Sequence, residues 1–123
     1  MLKLEEMDEQ VSLSQQMGGD EESVVLANVF TVAPEDVDAL LEAWTADASL
    51  LKTRAGFVST QLHRGIGGSS TFLNYAVWES VGAFRAAFSD PEFQASFARY
   101  PDSTVARPHL FQNVGIPGIS EGE

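Results

Sequence analysis

Residues 72–78 read Phe72-Leu73-Asn74-Tyr75-Ala76-Val77-Trp78, preceded by Gly65-Ile66-Gly67-Gly68-Ser69-Ser70 and followed by Glu79-Ser80. Aromatic and β-branched side chains between a Gly-rich turn and a helix-capping serine describe a β-strand. Alternate residues of a strand share a face, so Phe72, Asn74, Ala76 and Trp78 project one way and Leu73, Tyr75 and Val77 the other. Both sets are mostly apolar, so both faces are expected to be covered. A carboxamide in such a place costs free energy unless it is hydrogen-bonded. Asn74 is therefore the residue to explain, with Trp78 four residues further along the same face.

The anomaly recurs upstream. Val24-Val25-Leu26-Ala27-Asn28-Val29-Phe30-Thr31-Val32 is a strand apolar on both faces, hence central in a sheet, with Asn28 between Leu26 and Phe30. After it, Pro34 sets the first position of a helix, and Glu35 and Asp36 suit the positive end of its dipole. Val37, Leu40, Leu41, Trp44, Ala48 and Leu51 form one apolar stripe; Lys52 and Arg54 suit the last turn, and Gly56 ends the helix. Phe57 to Arg64 is a second strand, joined as a hairpin to the strand Thr71 to Glu79. Ser80 caps a helix bearing Val81, Phe84 and Phe88, and Asp90-Pro91-Glu92 restarts helix with Phe93 and Phe97 on its apolar side. Residues 101–107 are expected as loop and 108–116 as a last strand.

The order strand, helix, strand, strand, helix, strand is the ferredoxin-like βαββαβ arrangement, an α+β fold with helices on one face of an antiparallel sheet. In it the first and third strands are central neighbours, which sets Asn28 beside Asn74. An uncovered second apolar face would be a large sticky patch, so a homodimer is expected. Asn28, Asn74 and Trp78 are expected to face away from the helices, with Tyr75 beneath one.

A chain of 123 residues is one domain with one core. Residues 23–117 form it, after a disordered acidic leader of residues 1–22 and before a frayed tail of residues 118–123. The leader holds seven acids against Lys3 alone; the other reading is a short amphipathic helix using Leu4, Met7 and Val11. The formal net charge of -11 disfavours a nucleic-acid backbone or an anionic membrane as partner. No run approaches the ~20 apolar residues of a membrane span, and the start lacks a basic stretch followed by an apolar one, so a cytoplasmic location is expected. The chain has no Cys, which excludes disulfides, thiol chemistry and iron–sulfur clusters.

Two amides on adjacent strands beside an indole describe a pocket more than a pair of mutually satisfied core amides. Phe30, Phe72, Phe84, Phe88 and Phe97 would wall an aromatic cavity, although phenylalanine at helical spacing is more usually plain core. Arg99 and Tyr100 lie near a helix end within reach of a rim, and His63 is a weak candidate proton acceptor. His63 and His109 have no third ligand at metal-binding spacing, so no metal is expected. The 65–70 turn lacks the Gly-Lys-Ser/Thr ending of a phosphate loop, and no Ser/His/Asp spacing suggests nucleophilic catalysis.

Three segments carry a resemblance: Ala27-Asn28-Val29-Phe30, Gly56-Phe57-Val58-Ser59-Thr60, and Asn74-Tyr75-Ala76-Val77-Trp78-Glu79-Ser80 running into Ala83-Phe84-Arg85. Over about residues 23–116 the chain resembles the antibiotic biosynthesis monooxygenase family of the dimeric α+β barrel superfamily. The first-strand Asn joined to the Asn-to-Trp step is similar to the cofactor-independent anthrone oxygenases of aromatic polyketide pathways. That resemblance implies a monooxygenase without cofactor that oxidises a polycyclic phenolic, anthrone-like polyketide to a quinone with dioxygen. It implies Asn28, Asn74 and Trp78 as the catalytic residues. The haem-degrading branch shares the Asn and the Trp but has a histidine ligand on the second helix; here Phe93 leads to Phe97, so haem is not expected. The alternative is a non-redox barrel that binds or cyclises a polycyclic intermediate.

Overall fold

The computed structural model describes residues 1–121. Its strands are β1 (Lys3–Leu4), β2 (Glu22–Thr31), β3 (Phe57–Arg64), β4 (Thr71–Ser80) and β5 (Val105–Phe111), in the sheet order β1-β5-β2-β4-β3. The helices are α1 (Leu13–Gln16), α2 (Val37–Leu51), α3 (Val81–Phe88) and α4 (Pro91–Ala95), with 3-10 turns at Pro34–Asp36 and Ser96–Arg99. From β2 onward this is the ferredoxin-like order, with the first and third strands of the repeat, β2 and β4, paired antiparallel at the centre. Local chemistry sets the joints. Pro34 opens the turn into α2, Ser80 accepts from the Ala83 N–H, and Asp90 accepts from the Glu92 N–H ahead of Pro91. α2 ends at Leu51 with Lys52 as its cap, short of the expected stop at Gly56 and with Lys52 and Arg54 beyond its last turn; Gly56 instead takes φ +85 in the turn into β3, where a Cβ would stand 2.3 Å from that of Ala83.

The leader is ordered where a disordered segment was expected. Leu2 and Leu13 are buried, β1 pairs parallel with β5, and Ser12 and Gln15 close a capping box on α1. Gln16 then completes the edge: its amide accepts from the Leu110 N–H and donates to the Leu110 carbonyl, both at 2.9 Å. An acidic composition hid this, because two buried leucines and one side-chain amide suffice to hold the segment on an unpaired strand edge. The amphipathic reading of Leu4, Met7 and Val11 also fails, since Leu4 and Val11 are exposed.

The last strand runs earlier than expected, 105–111 in place of 108–116, with Pro108 inside it. The Ala106 carbonyl and the Leu110 N–H both point to the edge away from β2. Pro108 has the same parity, so its missing N–H falls on that edge and costs the β2 ladder nothing. Of the expected tail, Ile116 bridges Ser120, and residues 122–123 lie outside the described residues.

The helices cover the face that carries Leu26, Phe30, Phe72, Ala76 and Trp78, all buried. This reverses the expected assignment: Asn28, Asn74 and Trp78 lie beneath the helices, and Tyr75 is 46% exposed on the open face. Strand alternation says which residues share a face. It does not say which face receives the helices when both are apolar; the handed crossover decides that. No helix among the described residues is long and apolar enough to cross a membrane.

Candidate active site

Asn28 and Asn74 are directly opposite each other in the β2–β4 ladder, and Leu26, Ala76 and Trp78 continue the same face. Two aromatic and aliphatic clusters fill the space under the helices. One is built on Phe30, Leu40, Phe93 and Tyr100, the other on Leu26, Trp78, Val81 and Phe84, with Leu51 and Phe88 touching both. At the seam between them lies a cavity of about 50 Å³. That is room for roughly three or four waters, well below the ~300 Å³ of a typical small-molecule pocket. Its sheet wall holds Asn28, Thr60, Asn74 and Trp78; α2 supplies Trp44, Asp47 and Leu51; α3 supplies Phe84 and Phe88.

Thr60 reaches this wall through a register shift between Phe57 and Ser59. Phe57 pairs with Trp78 and Thr60 with Ala76, so the extra residue of the bulge returns both side chains to the cavity face. Thr60 Oγ1 donates to Asn74 Oδ1 at 2.5 Å. The Asn74 oxygen is thereby occupied, which leaves the amide N–H groups as the donors of this side chain. Asn28 Oδ1 and Trp78 Nε1 are buried without a partner. Phe57 and Phe84 meet the indole at 5.4 and 5.9 Å, both edge to face, and hold its orientation.

Asp47 and Tyr100 complete the wall and are its ionisable groups. Tyr100 Oη donates to Asp47 Oδ2 at 2.6 Å, and its ring stacks on Phe30. Burial raises the Asp47 carboxyl above the usual carboxylate range, against opposing contributions from Ser96, Tyr100 and Arg99. Burial, then the adjacent carboxylate, pushes the Tyr100 phenol up strongly.

Of the expected lining residues, Phe30, Phe84 and Phe88 reach the cavity. Phe72 shares the face but is sealed in the core, with the Arg64 guanidinium 5.3 Å from its ring centroid. Phe97 packs on Phe88 and Phe93 behind the wall. Arg99 is exposed and acts on the site only as a charge near Asp47. His63 pairs with Leu73 and is exposed, so it lies on the open face away from the amides. His109 is held at the leader, its Nε2 3.1 Å from the Gln16 amide nitrogen. Among the described residues no group of three or more His, Cys, Asp or Glu could hold a metal ion.

Asp47, Trp44, Phe57 and Thr60 were not anticipated as site residues. The signal for Asp47 was present: it falls seven residues after Leu40 and three after Trp44, on the buried stripe of α2. Thr60 gave none, because the bulge that turns it inward leaves no mark on strand alternation.

The chain is 38% identical over 73 residues to the tetracenomycin-F1 monooxygenase of Streptomyces glaucescens, a match covering 58% of this chain and 64% of that relative. The chain thus spans just under two thirds of the curated relative it matches. Among solved structures, SnoaB, a cofactor-independent oxygenase from Streptomyces nogalater, superposes with a TM-score of 0.68 at 25% identity, covering 80% of this chain and 99% of that one. A protein from Shewanella loihica PV-4 superposes with a TM-score of 0.67, also at 25% identity, covering 80% of this chain and 100% of that one. The family profile for antibiotic biosynthesis monooxygenase matches residues 23–99, from the start of β2 through the turn that carries Arg99. With the paired asparagines, the indole and the helix-covered sheet all inside or beside that span, the chain belongs to the antibiotic biosynthesis monooxygenase family.

Proposed function

We propose that this protein is a cofactor-independent monooxygenase that oxidises a polycyclic phenolic, anthrone-like polyketide intermediate to a quinone with dioxygen. The observation that carries the reading is the cross-strand pair Asn28–Asn74 beside Trp78 in an otherwise apolar cavity. Such a guest supplies its own electrons: once deprotonated, its delocalised anion is able to reduce dioxygen. Asn74, oriented by Thr60, donates to the developing enolate oxygen, and the Asn28 amide donates beside it while Asn28 Oδ1 accepts a guest hydroxyl. Hydrogen bonds concentrated where charge develops lower the proton-loss barrier most in a dry site. Trp78 stacks along the flat guest, with its unpartnered Nε1–H available to reduced oxygen.

The cavity of about 50 Å³ is too small for a polycycle, so α2 and α3 move apart on binding, at the contacts that Leu51 and Phe88 make with both clusters. The open face, with Tyr75, Val58 and Phe111 exposed around a concavity of about 1030 Å³, takes a second copy of the chain. The test is oxygen uptake by the purified protein with an anthrone or naphthol and nothing else added. Consumption of one dioxygen per quinone formed supports the reading. Tight binding of the guest with no uptake overturns it in favour of a non-redox binding or cyclising protein.

A further inference from the structure

Asp47 is a carboxylate on the buried side of an amphipathic helix, 5% exposed, with one oxygen held and the other left open. Tyr100 holds Oδ2, and Oδ1 is enclosed with no hydrogen-bond partner. Both residues line the same cavity as the two amides. A buried polar atom without a partner is unusual and calls for an explanation; here it belongs to a residue lining a cavity whose sheet wall carries two carboxamides. We propose that Asp47 is the catalytic base of this site, taking a proton from a carbon of the guest onto Oδ1 while Tyr100 fixes Oδ2. The proposal rests on the oxygenase reading of the same cavity.

The step balances. A C–H bond of the methylene between two aromatic rings breaks, its proton forms an O–H bond with Asp47 Oδ1, and the electron pair delocalises onto the oxygen held by Asn28 and Asn74. Dioxygen takes one electron from this anion and couples at the same carbon, forming a C–O bond. The peroxide oxygen takes the proton back from Asp47, restoring the carboxylate. Loss of water from the hydroperoxide, with the second methylene proton, leaves the quinone carbonyl. One dioxygen is consumed and one water released.

The setting suits a base. Desolvation moves the carboxyl up from its ordinary range, closer to the pH at which proton transfer is most efficient. Tyr100 hydrogen-bonds it at Oδ2, the Ser96 hydroxyl on the adjoining turn donates to the Phe93 carbonyl, and Arg99 stabilises its charge from the surface. Glu92 on α4 is turned away to Arg54 at 3.1 Å, and across the cavity Asn28, Asn74, Thr60 and Trp78 carry no charge.

The experiment measures kcat and KM across pH for the full chain and for the Asp47→Asn and Tyr100→Phe variants, using an anthrone with its methylene protonated or deuterated. In Asp47→Asn, kcat is expected to fall about 10²–10⁴-fold with KM little changed, and the acid limb of the profile to disappear. In Tyr100→Phe, the carboxylate loses a donor that stabilises its charged form, so the acid limb moves to higher pH. A primary isotope effect accompanies the limb. An Asp47→Asn protein with native kcat and pH profile overturns the base assignment alone. A native protein that consumes no oxygen with any anthrone overturns the oxygenase reading and this proposal with it. An acid limb unmoved in Tyr100→Phe and lacking in neither variant also overturns it.

Discussion

Thr60 Oγ1 donates across 2.5 Å to Asn74 Oδ1, and this contact determines which end of the Asn74 amide meets the cavity. Thr60→Val keeps the shape and removes the donor. Leaving the buried amide oxygen unsatisfied should cost about 1–3 kcal/mol, read as a lower urea midpoint, and oxygen uptake should fall with it. Thr60→Ser should restore both. Equal midpoints for the Val and Ser variants would show that the contact orients nothing.

Asn28 and Asn74 are each proposed to stabilise the enolate. Removing one donor from an oxyanion site typically costs about 10²–10³-fold in kcat, so Asn28→Ala and Asn74→Ala should each lose activity on that scale. Trp78→Phe should also cut turnover strongly. Circular dichroism should report an unchanged fold in all three, and full activity in the variants would remove these roles.

Asp47 makes stability depend on pH. Its folded-state pKa is raised by burial, so between the ordinary carboxylate range and the raised value the folded chain holds more protons than the unfolded one. Stability contributed by this group therefore falls as pH rises through that window. Asp47→Asn lacks the penalty and should be at least as stable as the native protein at neutral pH, with its advantage shrinking as pH is lowered. Denaturation curves taken at several pH values read this directly, and an advantage that grows toward acid would contradict it.

Gly56 combines a left-handed φ of +85 with the approach of Ala83, whose Cβ would stand 2.3 Å from a new one. Gly56→Ala should destabilise by about 1–2 kcal/mol through the backbone alone, and further because the α3 contact must shift. A thermal melt within a degree of the native protein would refute this.

Tyr75 is the exposed centre of the open sheet face. Tyr75→Asp places a charge where a second copy is proposed to dock, so sedimentation should show dimers for the native chain and monomers for the variant. A native chain that sediments as a monomer at high concentration would dispose of the dimer.

Much of this protein is legible in its residue order. Pro34, Ser80 and Asp90 punctuate the helices where their chemistry requires, and strand alternation in residues 24–32 and 72–78 pairs Asn28 with Asn74 once the ferredoxin-like order is recognised. These are local properties, set by dihedral preference, capping and side-chain period. What the tertiary structure alone decided is of longer range. Which apolar face the helices cover depends on the crossover, and a one-residue bulge brought Thr60 onto the site while His63 stayed outside. The environment of Asp47 depends on Tyr100, 53 residues away. Burial, orphaned lone pairs and the work of desolvation belong to neighbours in space, and no period in the chain specifies who those neighbours are.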